Sequence, residues 1–488
     1  MWLGIDLGSS SVKVSLLDES GGQVLARTTV PELGEMGMTR PKPGWAEQSP
    51  ELWWDLTCQG IRQVMEGRDA SNLRGIGIAY QMHGLVCMGA NDEVLRPAIL
   101  WCDSRAVEIG ERYFGEIGRD KCLAHLHQSP GNFTVSKLAW VRENEPDVYA
   151  KIDKVGLPGD YLAYRLSGEW QTTDGGLSEA AAWDFSKGEM ANFLMGGMGL
   201  KASLWPNRVP ILGLQCEVSR AAAAELGIPA GVPISYRAGD QPNNAFALGA
   251  NAPGDVAASG GTSGVLYGVS EAPLADAQQR VNPFLHVTHR QDQPRIGVLM
   301  CLNGAGSQMA WLRRITGVDY DQLNEQASSV SPGADGLTCL PFGMGAERIL
   351  GNRTVGMQWR GGDFGKHGVG ELSRACFEGI ALAFRYGAEA MAAAGVEIRS
   401  VRAASSGLFL SPVFAQALAD LLQAPIDCIA ANGADGAARA AALGAGHYGS
   451  VTEASAVLKV KRSYVPQSNT EYAEVYDRWR DLLLSNLK

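Results

Sequence analysis

The chain has 488 residues, 45% hydrophobic and 19% charged, which excludes a disulfide-stapled miniprotein and global disorder and leaves room for two to four domains of roughly 100–200 residues. The formal charge of -10, from 42 Lys plus Arg against 52 Asp plus Glu, argues against a broad nucleic-acid surface but not against local phosphate sites. Glycine, at 60 residues, exceeds the usual ~7% and implies many tight turns or close backbone approaches.

In chain order, Leu3-Gly4-Ile5-Asp6 and Val12-Lys13-Val14-Ser15-Leu16-Leu17 read as short strands joined by the turn Gly8-Ser9-Ser10-Ser11. A second turn at residues 18–22 leads into Val24-Leu25-Ala26, so the chain opens as an antiparallel meander. Helical spacing covers 51–65, and a strand-like run over 73–80 ends in Gln81-Met82-His83-Gly84. Further helices are predicted over 135–143, 219–226, 308–316, 371–394 and 412–422. Strands and helices therefore interleave from end to end, which favours an α/β architecture with opening hairpins over a barrel.

The nine cysteines lack CxxC spacing and fit reduced thiols in a cytoplasm. His125 with His127 and His286 with His289 lack companion ligands and read as structural. The start Met1-Trp2-Leu3-Gly4-Ile5-Asp6 has no basic leader, and no run nears the ~18 apolar residues of a membrane span. A cytoplasmic location, away from membrane and nucleic acid, is expected.

Gly8-Ser9-Ser10-Ser11-Val12 is echoed just over half the chain later by Gly261-Thr262-Ser263-Gly264-Val265. Each turn follows an extended stretch and can present N–H and hydroxyl groups to one side. Singly, such turns are ordinary hairpin chemistry; as a pair they suit a duplicated α/β protein that holds a polyphosphate. Two other glycine patterns fail. Residues 361–366 lack the first glycine of a Walker loop, with His367 in place of its Ser or Thr, and no strand leads into 197–202.

An ordered series of motifs carries a resemblance over nearly the whole chain. It runs through Gly4-Ile5-Asp6-Leu7-Gly8-Ser9-Ser10-Ser11-Val12-Lys13, Trp45-Ala46-Glu47-Gln48-Ser49-Pro50, residues 96–105, Lys137-Leu138-Ala139-Trp140-Val141 and Leu157-Pro158-Gly159-Asp160-Tyr161-Leu162. It continues with Gly239-Asp240-Gln241, Gly261-Thr262-Ser263-Gly264, Leu340-Pro341 and Ala417-Leu418-Ala419-Asp420. In these motifs the chain resembles the FGGY carbohydrate kinases. The resemblance implies an actin-like ATPase (ribonuclease H-like) fold of two duplicated α/β domains, residues 1–246 and 247–488, with a catalytic cleft between them.

The resemblance also implies ATP as co-substrate, with Mg²⁺ organised by Asp6 through water, and phosphates met by Gly8, Ser9, Ser10, Gly261, Thr262 and Ser263. Lys13 adds a point charge or is a solvated strand lysine. Gly306, Gly407 and Ser411 match adenosine contacts, with Ser406 where the family commonly has glycine; Gly433 and Gly436 line the same edge or form a flexible turn. Asp240 matches the general base. It also reads as a helix N-cap, with the dipole keeping it ionised. Gln81, Met82 and His83 are similar to the sugar motif of the xylulose-phosphorylating members, whereas Gln241 replaces an Asn common there. Trp101, Asp103 and Arg105 are further pocket candidates, Trp101 being equally a core residue. The implied reaction is phosphorylation of D-xylulose to D-xylulose 5-phosphate. Alternatives are a kinase for another ketopentose or polyol, or a non-enzymatic ATP-binding sugar sensor. A homodimer is left open.

Overall fold

The computed structural model describes residues 1–33, 35–467 and 471–487. The chain divides into two compact units, each with its own mixed sheet. Unit 1 comprises Met1–Gly249, Phe284–Arg295 and Ala431–Leu458; unit 2 comprises Ala250–Pro283, Ile296–Ala430 and Lys459–Lys488. Two later segments thus return to unit 1, and the compact units are not two continuous stretches like the 1–246 and 247–488 expected from the resemblance.

The sheet of unit 1 has the order Leu212–Glu217, Pro233–Gly239, Gly75–Tyr80, Trp2–Leu7, Val12–Leu17, Val24–Val30. The last three form the antiparallel meander; Trp2–Leu7, Gly75–Tyr80 and Pro233–Gly239 are parallel neighbours, and Leu212–Glu217 closes the edge antiparallel. Unit 2 repeats this plan. Ile296–Leu302, Gly264–Ser270 and Asp255–Gly260 are an antiparallel meander; Ser400–Ala404 and Ile426–Ile429 add in parallel, and Val460–Tyr464 closes antiparallel. The echo of the two turns is therefore an echo of two whole sheets, and the chain has the two-unit α/β architecture of the actin-like ATPase fold.

Local chemistry sets the element ends. Ser49 accepts from the Leu52 N–H and Pro50 opens the helix Pro50–Met65; Ser411 and Pro412 do the same for Pro412–Leu422. Helix Thr134–Asn144 spans the expected 135–143, and Val369–Ala393 covers the expected 371–394 except for Ala394, which is its C-cap. The interior of unit 2 gathers around that long helix, with Phe377, Ile380 and Phe384 buried.

Helix Gly433–Gly444 lies across the sheet of unit 1 at backbone contact distance. A Cβ on Gly4 would collide with the carbonyl oxygen of Ala434, and one on Gly77 with that of Ala437. The glycines on neighbouring strands and the run Ala437-Ala438-Arg439-Ala440-Ala441-Ala442 on the helix are two sides of one requirement: no side chain fits between them. Gly433 and Gly436 are helical, correcting the flexible-turn alternative, and Gly436 packs against Ala247. Gly77→Ala is expected to force the helix outward and lower stability by roughly 1–3 kcal/mol or more, measurable as a shifted denaturant midpoint with unchanged m. An unshifted midpoint would show that the helix can move without cost.

All nine cysteines are free thiols. Among the described residues, no helix is long and apolar enough to cross a membrane.

Candidate active site

In unit 1, three parallel strands end side by side. Leu7 pairs with Tyr80, and Tyr80 with Gly239. The residues that follow these ends are the Gly8–Ser11 turn, Gln81-Met82-His83 and Asp240, so three motifs far apart in sequence meet at the carboxyl edge of one sheet, the usual place for ligands in α/β sheets. The Gly8 N–H closes its turn on Ser11 O at 3.0 Å, and the Gln81 N–H reaches Leu7 O at 2.7 Å.

Asp6 is the last but one residue of its strand, paired across the hairpin with Lys13. Its carboxylate is nearly buried, and burial raises its pKa. Lys13 Nζ lies 4.0 Å from Asp6 Oδ2 with the lysine side chain 49% exposed, so it can swing toward a phosphate at little cost. Gly433, the first residue of its helix, packs on Asp6: a Cβ there would collide with Asp6 Oδ2.

Asp240 opens helix Asp240–Leu248 as its first residue, with Gly239 as the N-cap. This corrects the N-cap expectation. The expected ionised state is opposed by burial and then by the neighbouring Asp6 charge, which push its pKa up to about 7 against hydrogen bonds from Gln241. Gln241, the departure from the family pattern, thus acts on Asp240. The two acids repel one another and would both be relieved by a cation. Among the described residues no group of three or more acidic, His or Cys side chains forms a metal cage.

His83 has φ 61°, a left-handed conformation rare outside glycine. Its Nδ1 lies 2.7 Å from the carbonyl oxygen of Glu179, and Lys137 Nζ donates to the His83 carbonyl oxygen at 2.7 Å. Met82 and Gln81 are buried beneath it, the Gln81 amide donating to Gln48. Glu179 joins the two turns: its backbone holds His83, and its carboxylate packs so closely on Gly239 that a Cβ there would collide with Oε2.

The three further pocket candidates fall in different settings. Trp101 is 52% exposed, which removes the core alternative. Asp103 is fully buried; Oδ1 accepts from the backbone and Nε of Arg105, and Oδ2 from the Ala46 N–H and Arg105 Nη2. It is corrected from a sugar contact to a brace. Arg105, itself engaged with Glu47 and stacked on Trp45, is part of the same brace.

Unit 2 carries a separate cavity of about 460 Å³ beside its own hairpin turn. Gly261 and Thr262 form one wall, with the Gly306 N–H on Gly261 O at 3.0 Å and the Ser307 N–H on Thr262 O at 3.2 Å. Gly306 and Gly407 are required by space, since a Cβ would collide with Gly261 O and Gly260 O respectively. Gly407 also has φ 57°. Ser406, with φ -155° and ψ 168°, is extended backbone that any residue adopts, so its replacement of glycine carries no strain. Ser411 lines the cavity, but its hydroxyl donates to Asn324 and caps the following helix. The sequence motifs leave out Tyr320, Asp321, Asn324, Phe377 and Leu410, which supply apolar and aromatic surface with a carboxylate and an amide, a setting for a flat, hydrogen-bonding base. Lys137 stood only as a landmark, and nothing local marks Glu179.

The profile of the N-terminal domain of the FGGY family of carbohydrate kinases matches residues 1–247, and that of the C-terminal domain matches residues 256–445. The xylulose kinase of Escherichia coli K12 is 32% identical over 483 residues, covering 96% of this chain and 95% of that protein. That of Klebsiella pneumoniae is 30% identical, covering 88% and 86%. The crystal structure of xylulose kinase from Rhodospirillum rubrum superposes with a TM-score of 0.88 at 26% identity, covering 99% of this chain and 98% of that one.

Proposed function

The chain belongs to the FGGY family of carbohydrate kinases, and from that premise we propose that it transfers the γ-phosphoryl group of ATP to D-xylulose, giving ADP and D-xylulose 5-phosphate. The observation that carries the sugar assignment is that Gln81, Met82 and His83 directly follow the strand Gly75–Tyr80, which lies between the strand bearing Asp6 and the strand leading to Asp240. The xylulose kinases among its relatives, similar over almost the full length, support it.

Asp240 accepts the hydroxyl proton as the sugar oxygen attacks phosphorus; a carboxyl titrating near neutrality is matched to that task. Asp6 would hold a hydrated Mg²⁺, which would supply positive charge against the phosphate oxygens. The backbone of Gly8, Ser9 and Ser10 and the Lys13 ammonium receive phosphate from unit 1. In unit 2, Gly261, Thr262 and Ser263 receive phosphate, and Gly306, Gly407 and the slot beside Ser411 take the adenosine. His83 and the neighbouring backbone bind the sugar hydroxyls, with Trp101 as an exposed face for its apolar side.

Buried polar recognition can discriminate by up to about 10⁴–10⁵ when an analogue leaves a group unpaired, so stereochemistry at the hydroxyl-bearing carbons matters. D-xylulose is expected to give the highest kcat/KM in a sugar-dependent ADP-release assay over D-xylulose, D-ribulose, L-ribulose, glycerol and D-gluconate. A clear preference for another sugar rejects D-xylulose and leaves a carbohydrate kinase. Sugar binding without any phosphorylated product, read by mass spectrometry, would instead favour a sensor.

A further inference from the structure

Lys137 belongs to a motif that the reaction leaves unused. It lies in helix Thr134–Asn144 with 0% exposure, and a buried ammonium is costly unless a hydrogen bond satisfies it. Its Nζ donates to the carbonyl oxygen of His83 at 2.7 Å. That carbonyl belongs to a residue at φ 61°, where a side chain with a Cβ sits only if its surroundings hold it.

Three sets of contacts do so. Lys137 fixes the peptide that follows His83. The Glu179 carbonyl, which can only accept, takes the hydrogen of Nδ1 at 2.7 Å and fixes the ring's rotation. Phe133 and Phe284 flank the ring, with centroids at 4.8 and 5.3 Å. The aromatic rings give the imidazole a slot, and the Lys137 amino group bonds the backbone. Without it, the His83 carbonyl loses this bond, and the hold on the left-handed turn that aims the imidazole is weakened. A filler of equal length, such as methionine, would keep the packing and lose the bond.

We infer that Lys137 is a positioning residue for sugar recognition, holding the His83 turn in its left-handed conformation and so setting selectivity among ketopentoses. The inference rests on the sugar-binding role proposed for His83.

The test is a double-mutant cycle on the full chain, with Lys137→Met, His83→Ala and the pair. Steady-state kinetics on D-xylulose and D-ribulose are combined with calorimetric titration of ATP. Lys137→Met is expected to lower kcat/KM for D-xylulose about 10- to 100-fold, mostly through KM. The D-xylulose to D-ribulose ratio should narrow, and ATP affinity should stay within about twofold, as expected for an interaction confined to sugar binding. In the His83→Ala background the same substitution is expected to add little, since its effect passes through His83. A general loss of structure would lower both sugars and ATP alike, and fully additive losses or an unchanged ratio would overturn the inference. If Lys137→Met does not fold, Lys137→Gln keeps a donor of shorter reach and is expected to be intermediate; a folded Lys137→Gln with the wild-type ratio also overturns it. Should the wild type prefer another sugar, the assignment of D-xylulose fails, and the cycle run on that sugar still decides the role of Lys137.

Discussion

Asp240→Asn is expected to keep the fold and bind ATP normally while losing roughly 10²–10⁴ of the sugar phosphorylation rate, the usual worth of a positioned general base. The substitution is nearly isosteric, and residue 240 is the first of its helix, not the cap, so no capping bond is lost. Two consequences of the raised pKa separate this from a generic defect. Protonation removes the base, so wild-type kcat/KM is expected to fall as pH drops through about 7. The stability effect has the opposite sense. A carboxyl whose native pKa lies above its unfolded value is stabilised when protonated, so its burial costs nothing below the unfolded pKa and the full penalty above about 7. Asparagine has no such penalty, and the melting temperature of Asp240→Asn relative to wild type should rise between about pH 5 and pH 8. Near-normal turnover in this variant would reject Asp240 as the base.

The second large effect is expected at the unit 2 turn, where two glycines differ in what surrounds them. The nearest heavy atom to a Cβ on Gly261 is Ser263 O at 4.0 Å, so the protein itself accommodates a side chain there. Gly261→Val should therefore keep its melting temperature and sugar affinity. It should still weaken ATP at least about tenfold, because the isopropyl group occupies the space where backbone would approach phosphate. Gly306→Val differs: its Cβ would drive into Gly261 O and displace the turn. ATP binding and about 1–3 kcal/mol of stability should be lost together. Calorimetric titration of each ligand with a thermal melt reads both. Wild-type ATP affinity in Gly261→Val would remove this turn from the nucleotide site.

The two variants also show how far the site was legible. Both hairpin turns stand out because Gly-Ser/Thr-Ser between β-type runs is a local signal, and Gly306 and Gly407 enter through the family resemblance. Neither source indicates why Gly306 must be glycine: its constraint is the carbonyl of a residue on another element. Ser406 shows the converse, a departure from the family pattern without backbone strain once its φ is known. Asp103 looked like a pocket residue because it sits in a motif with Trp101 and Arg105, yet its carboxylate faces inward and braces the Ala46 backbone.

The sequence by itself determined the interleaved α/β elements, the opening meander, the paired turns and the identity of the acids at strand ends. These depend on hydrophobic period, caps and turn residues, which act within about a dozen positions. Only the tertiary structure decided that Pro233–Gly239, Gly75–Tyr80 and Trp2–Leu7 are neighbours, and hence that His83, Asp240 and Asp6 share one edge. Only it returned Gly433–Gly444 to the first sheet, beneath Asp6. Strand order and helix docking are set by which apolar and glycine-bearing faces can be buried together across hundreds of residues. The same burial gives Asp240 its raised pKa and makes the His83 carbonyl a needed partner for Lys137 Nζ, because the cost of removing a charge from water depends on the completed packing around it.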